Sequence, residues 1–246
     1  EVKASGLRGR GGAGFPTGIK WEGVYKKQFD DHGFPAQKYL VCNSSEGEPG
    51  TYKDRYLIKK NPYLLIEGMM IGSYAVGMYK AIICIKEVFK NEIAILRRAI
   101  KECETAGYVG DNILGSGKNF PLEIALGPDS YLLGEDRAQL EVIEGKPAWP
   151  RAKGIIPVDF GLFGQPTVVN NVETLATVPH IIQRGADWFK SIGTADTPGT
   201  MIFTLTGDVQ QPGIYELPMG TPLRTLIEVY GGGPKPDRHI KAVFSG

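Results

Sequence analysis

Apolar residues in this chain alternate between short continuous runs and longer periodic ones, and that alternation predicts the fold. "KYLVCN" (38–43), "KAIICIKE" (80–87) and "FPLEIALG" (120–127) are short apolar runs bounded by polar or turn residues, and they read as strands. Between them, "NPYLLIEGMMIGSYAVGMY" (61–79) and "NEIAILRRAIKECETAGY" (91–108) have the length of helices. Pro62 stands at an early helical position, where its missing N–H costs little. In the second segment Ile93, Leu96, Ile100 and Cys103 recur at helical spacing, and Gly107 occupies the place of a C-terminal cap. Strand, helix, strand, helix, strand predicts an α/β domain, Rossmann-like, with a mainly parallel sheet.

From "GEDRAQLEVIEG" (134–145) to "WFKSIG" (188–193) the pattern predicts helical segments broken by Pro/Gly loops, and "TADTPGT" (194–200) predicts a boundary. Beyond it, "MIFTLTGDV", "GIYEL", "PLRTLIEVYG" and "HIKAVFS" predict strand, strand, short helix, strand. That order resembles a β-grasp module. The expected organisation is therefore an α/β domain over 1–193 and an incomplete β-grasp module over 198–246. A start at Glu1 and an apolar ending in "AVFSG" lead us to expect a piece of a longer polypeptide.

Composition changes this picture in one respect. The 33 glycines among 246 residues amount to about 13%, against a usual ~7%, and they follow no period. They predict many sharp loops and close backbone approaches. A net charge of +1 gives no argument for nucleic acid or an anionic membrane surface. The most apolar window, Tyr63 to Tyr79, contains Glu67 and three glycines, so no membrane span is expected. Cys42, Cys84 and Cys103 show no Cys-x-x-Cys spacing, and read as buried reduced thiols of a cytoplasm-like compartment. They carry no metal motif.

The candidate chemistry lies in "GLRGRGGAGFPTGIKW" (6–21), which places six glycines and the cations Arg8, Arg10 and Lys20 in sixteen positions. Glycines let several N–H donors converge on an anion, and the cations add charge and direction, so the loop suits a phosphate. Gly9, Gly11 and Gly14 satisfy G-x-G-x-x-G, yet "EVKASGL" is a poor strand to precede a dinucleotide fingerprint. Asp30 and Asp31 stand near the ribose-binding distance, and also read as a solvated turn. An ordinary flexible loop is the plainer alternative for the whole stretch.

This loop resembles the flavin-binding loop of the flavoprotein subunit of respiratory complex I, a family shared with diaphorase subunits of NAD-reducing and bifurcating hydrogenases and of NAD-dependent formate dehydrogenases. Three more stretches match in order: "CNSSEGEPGTYKDR" (42–55), "YLLGEDRAQLEVIEGKPAWPR" (131–151) and "GLFGQPTVVNNVETL" (161–175). The resemblance runs through essentially the whole chain. It implies an oxidoreductase that passes electrons between NAD(H) and iron–sulfur clusters through bound FMN. It implies FMN contacts from Gly9, Arg10, Gly12, Lys20, Asn43, Glu46, Tyr131, Gly134, Glu135, Asn170 and Asn171, and NAD contacts from Phe15, Glu48 and Lys153. Glu48 and Glu135 are the implied catalytic residues. Plainer roles stand beside these: Asn170 with Glu173 fits a capping box, Glu135 and Asp136 suit a helix start, Lys20 a solvated surface, and Phe15 a core position.

The chain departs from the family pattern at several positions. Ser45 replaces an Asp, Gly23 and Ile156 replace aromatic residues, Asp136 replaces a Glu, and Arg137 replaces a Thr. The missing aromatics suggest a weakened adenine clamp, which opens two alternatives: an FMN subunit exchanging electrons with a protein or quinone-linked partner, or a flavin-free scaffold. The family also carries a four-cysteine 4Fe–4S domain that this chain lacks, so clusters are expected beyond the chain or in partner subunits. A thioredoxin-fold 2Fe–2S subunit is the expected partner, in the cytoplasm or on the matrix side of an organelle complex.

Overall fold

The computed structural model describes all residues except Asp31, Lys153, Ile155 and Gly246. Four strands, β1 (Tyr39–Ser44), β2 (Lys80–Lys86), β3 (Leu122–Gly127) and β4 (Thr167–Asn171), pair in parallel in the order β3-β2-β1-β4. Because successive side chains point to opposite faces, β1 and β2 bury both sets. Leu40, Cys42, Ala81, Ile83 and Ile85 join one core cluster, and Tyr39, Val41, Ile82 and Cys84 join another. The first cluster is covered by α1 (Thr17–Tyr25), α3 (Pro62–Val76), α4 (Lys90–Thr105) and α6 (Val172–Arg184), with α2 (Lys53–Lys60) contributing Ile58. The second is covered by α5 (Asp136–Ile143), through Leu140, together with Leu133 and Leu162.

This division follows from topology. From β1 the chain steps outward to β2 and β3, and then returns to the other side of β1 as β4. A reversal of direction with right-handed crossovers moves the connecting helix to the opposite face, which is where α5 lies. The strand order reverses between β1 and β4, and the crevice beyond their carboxyl ends is where ligands of open α/β sheets bind.

The expected helices end where their caps dictate. Asn61 accepts from Leu64 N at 3.2 Å before Pro62, and Gly77 closes α3 in the left-handed conformation. Gly107, at φ 77°, follows α4. Helices α3 and α6 pack closely at Gly68, where a Cβ would lie 2.0 Å from the Leu175 carbonyl oxygen.

Past α7 (Ala186–Lys190), β5 (Thr200–Leu205) and β6 (Gly213–Pro218) form an antiparallel pair. Leu205, Val209, Leu217, Leu226 and Ile227 make its small core, with α8 (Leu223–Thr225) running into a π-helical turn at Leu226–Tyr230. Residues 239–245, expected as a last strand, join no ladder. Their apolar alternation is there, but a strand needs a neighbour for its backbone groups, and none flanks them among the described residues.

Candidate functional site

Asn43, near the end of β1, stands in register with Asn171 at the end of β4. Beyond them lie two abutting cavities of about 560 and 590 Å³ that share Gly11, Asn43, Gly134, Glu135 and Asn171 in their walls. Together they form one cleft at the point where the strand order reverses.

The glycine loop forms one side. Gly9 N donates to Phe15 O at 2.9 Å and Thr17 N to Leu7 O at 2.9 Å, so the loop closes on itself before delivering α1. Residues 2–6 form turns rather than a strand leading into the loop, unlike the context a dinucleotide fingerprint has. Gly12 and Gly14 hold φ of 116° and 65°, and a Cβ on Gly11 would sit 3.1 Å from Asn171 Cβ, narrowing the passage between the cavities. Among the described residues no backbone carbonyl accepts from the N–H groups of Gly11, Gly12 or Ala13.

The loop's cations divide their tasks. Arg8 donates to Asp196 O and Gly14 O and braces the loop. Arg10 is 3% exposed and donates through Nη2 to Pro198 O at 2.8 Å, while its Nε has no partner among the described residues. Burial draws its pKa below the usual arginine value, against the pull of Glu173. Lys20 donates to Val169 O at 2.8 Å and lies 3.6 Å from Asp136, so it is a wall residue rather than a solvated lysine. Burial raises the Asp136 carboxyl, and Lys20 opposes that rise.

The carboxyl ends of the strands are held by amides and carboxylates. Asn43 donates to Gly134 O at 2.8 Å and accepts from Gln139 and Ser45, which ties β1 to the turn before α5. Glu46, at φ 31°, accepts from the N–H groups of Asp54 and Arg55 and from Arg55 Nε at 2.6 Å, holding the start of α2 from a distance. Burial and the nearby Asp54 raise its pKa, while Arg55 restrains it. Asn171 is held at both ends of its amide: Oδ1 accepts from Lys53 at 2.9 Å and Nδ2 donates to Asp54 at 2.6 Å. It is also the residue that caps α6, through Glu173 N. The cap expected at Asn170 thus falls one residue later, and the capping box with Glu173 does not form. Asn170 instead accepts from Trp21 Nε1 at 2.7 Å, and Glu173 is turned away toward Lys53 and Ile202 N.

The other expected residues fall around the same cleft. Tyr131 donates to Glu48 at 2.7 Å in the wall of the larger cavity. Glu135 caps α5 by accepting from Ala138 N at 2.9 Å and pairs with Arg137 at 2.6 Å. Phe15 is half exposed and lines the smaller cavity with Ile156 and Pro157, so it is not a core residue. Lys153 and Asp31 lie outside the described residues. Gly23 belongs to neither cavity wall; a Cβ there would meet Val158 Cγ1 at 2.9 Å.

Sequence reasoning missed the buried group beneath Asn171: Lys53, Asp54 and Glu173. "KDR" ends the stretch 42–55, but nothing in its spacing links it to a glutamate 120 positions away. Residues 201–204 of β5 were also missed as wall of the larger cavity. Glu173 Oε1 holds Ile202 N at 2.7 Å and Thr204 Oγ1 accepts from Tyr52 N, which seats β5 against the cleft.

A family model described as the Nuo51 FMN-binding domain matches residues 2–180, and one described as the SLBB domain matches residues 202–241. The chain is 50% identical over 245 residues to an NADH-quinone oxidoreductase subunit of Rhizobium meliloti, covering 100% of this chain and 57% of that protein. It is 48% identical to an NADH-quinone oxidoreductase subunit of Aquifex aeolicus, covering 100% and 56%. A crystal structure of NAD+-reducing NiFe hydrogenase in the H2-reduced state superposes with a TM-score of 0.86 at 40% identity, covering 96% of this chain and 39% of that one. The chain therefore spans little more than half the length of these curated relatives.

Proposed function

Because the chain belongs to the Nuo51 FMN-binding domain family, we propose that its cleft holds FMN and works in electron transfer between NAD(H) and iron–sulfur clusters of a larger redox complex. The observation that carries this reading is the glycine loop placed against the ends of β1 and β4. Its amides at Gly11, Gly12 and Ala13 and the unpartnered Nε of buried Arg10 are donors suited to a phosphate. The cleft fits the cofactor. Gly9, Arg10, Gly12 and Lys20 would hold its phosphate side, and Asn43, Glu46, Tyr131, Gly134, Glu135 and Asn170 would surround the rest.

When bound, FMN supplies the exchange of one hydride for two single electrons. The protein's part is positioning. Asn171 spends its amide on Lys53, Asp54 and Glu173, so it shapes the cleft and leaves direct contact to Asn170. Glu135, fixed by Ala138 N and Arg137, keeps a carboxylate still beside Gly134. Glu48, held by Tyr131, is a further carboxylate of the wall. Phe15, Ile156 and Pro157 offer a nicotinamide dinucleotide an apolar wall, with Lys153 as a further contact. That wall favours NAD(H) over a protein electron donor. The glycine at 23 belongs to the packing of Val158, so its bearing on an adenine clamp is indirect.

In this reading residues 1–193 form the flavin domain and 198–246 a β-grasp module, and the partners are iron–sulfur subunits, one of thioredoxin fold. Among the described residues no helix is long and apolar enough to cross a membrane. Three buried free thiols suit a reducing compartment, cytoplasm or matrix. The test is anaerobic addition of NADH to the FMN-loaded chain. Bleaching of the flavin absorbance is expected; a flavin that dithionite reduces and NADH does not would overturn the NAD(H) assignment.

A further inference from the structure

Two carboxylates, Glu135 and Asp136, and two cations, Lys20 and Arg137, line the smaller cavity beside Phe15, Ile156 and Pro157. In open α/β dinucleotide sites a free carboxylate takes the ribose 2′-hydroxyl and repels a 2′-phosphate, whereas an arginine accommodates that phosphate. Here neither carboxylate is free. Asp136 lies 3.6 Å from Lys20, and Glu135 is engaged by Arg137 Nε at 2.6 Å and by Ala138 N at 2.9 Å. Among the described residues of the wall two cations match the two carboxylates, and where Lys20 also serves the flavin phosphate, Arg137 is the cation left to offset an added 2′-phosphate.

Arg137 supplies the attraction. Its Nε is fixed by Glu135 and its Nη1 donates to Ala152 O at 3.3 Å, which sets the plane of the guanidinium. Nη2 donates to nothing among the described residues, and the side chain keeps 25% of its surface exposed. With Nε and Nη1 held, the N–H groups of Nη2 are the donors left for a phosphate oxygen.

We propose that the smaller cavity accepts 2′-phosphorylated dinucleotides, of the NADPH class, alongside NADH, with Arg137 as the residue that takes the 2′-phosphate. This rests on the nucleotide reading above.

The test compares 2′,5′-ADP with 5′-AMP as probes, by calorimetry on the FMN-loaded 246-residue chain. The unaltered chain is expected to bind 2′,5′-ADP at least as tightly as 5′-AMP, and Arg137→Ala to weaken 2′,5′-ADP about tenfold to a hundredfold. Binding of 5′-AMP is expected to weaken less than that of 2′,5′-ADP, since losing Arg137 also leaves Glu135 without its ion-pair partner. Arg137→Lys, which keeps the charge and loses the fixed guanidinium plane, should fall between. If 5′-AMP binds and the 2′-phosphate weakens binding, or if Arg137→Ala lowers both probes equally, this inference fails while the nucleotide reading stands. If neither probe binds the unaltered chain, both fail.

Discussion

Replacing Lys53 with methionine removes the cation at the centre of the buried group beneath the cleft. The Lys53 side chain is 8% exposed and reaches Asp54 at 2.7 Å, Glu173 at 3.1 Å and Asn171 Oδ1 at 2.9 Å. Without it, two buried carboxylates face each other with no ammonium between them. Deleting one side of a buried ion pair costs about 3–5 kcal/mol. In a chain of this size that corresponds to a fall of roughly 6–20 °C in unfolding midpoint. The sign of the pH dependence follows from the shifts. Burial pulls Lys53 down, but Asp54 and Glu173 outweigh it and leave its pKa above the ordinary lysine value. The stability this pairing gives is therefore fully present at neutral pH and is lost only as pH rises through the folded pKa, above about 10.4. Burial raises Glu173 above the ordinary glutamate value, and in the variant Lys53 no longer restrains it. A carboxyl raised in the folded state binds its proton before the unfolded chain does, so lowering pH from about 7 to about 5 should recover part of the variant's loss. Urea unfolding at both pH values, followed by tryptophan fluorescence, measures this. Lys53→Met/Glu173→Gln should be less destabilised than the sum of its single changes. A loss below about 1 kcal/mol, or a gap between variant and parent that ignores pH, would refute the reasoning.

Gly68→Ala should destabilise the chain by about 1–3 kcal/mol despite alanine's better helix propensity, because its Cβ would meet the Leu175 backbone and force α3 from α6. A variant at least as stable as the parent in urea would contradict that contact. Trp21→Phe strips Asn170 Oδ1 of its buried donor and should cost about 1–3 kcal/mol; an unchanged urea midpoint would count against the bond. The hydrogen bond to Glu48 raises the Tyr131 hydroxyl above the usual tyrosine value, so Glu48→Gln should lower its phenolate titration in ultraviolet difference spectra. A midpoint that does not move would separate the two residues.

The elements legible in the sequence are those whose burial is written locally. β1, β2 and β3 bury compact apolar runs, and α4 shows Ile93, Leu96, Ile100 and Cys103 on one face. β4 escaped notice because "TVVNN" is five residues long, ends in two asparagines and lies between loops. Its importance comes from pairing with β1, a long-range fact. α2 reads as charged loop since "KDRYLIKK" buries one large apolar side chain, Ile58, and its N–H groups are held by Glu46, outside the helix. α1 was hidden by the glycine loop that leads into it. The expected last strand is not formed for the converse reason: its local pattern is right, and no neighbouring strand flanks it among the described residues. In the candidate site, the positions of Asn43, Gly134 and Asn170 were legible through motif resemblance. The way the Asn171 amide is held was not, because it depends on Lys53 and Asp54, 118 and 117 positions from Asn171.

On the reading proposed above, the glycine loop and Arg10 receive a flavin phosphate. Equilibrium binding of FMN and riboflavin to the same chain, read by quenching of flavin fluorescence, tests it most directly. One FMN per chain should bind, with riboflavin weaker by about a hundredfold or more, the contribution of two or more charge-assisted hydrogen bonds. Riboflavin bound as tightly as FMN, or neither flavin retained, would contradict the account.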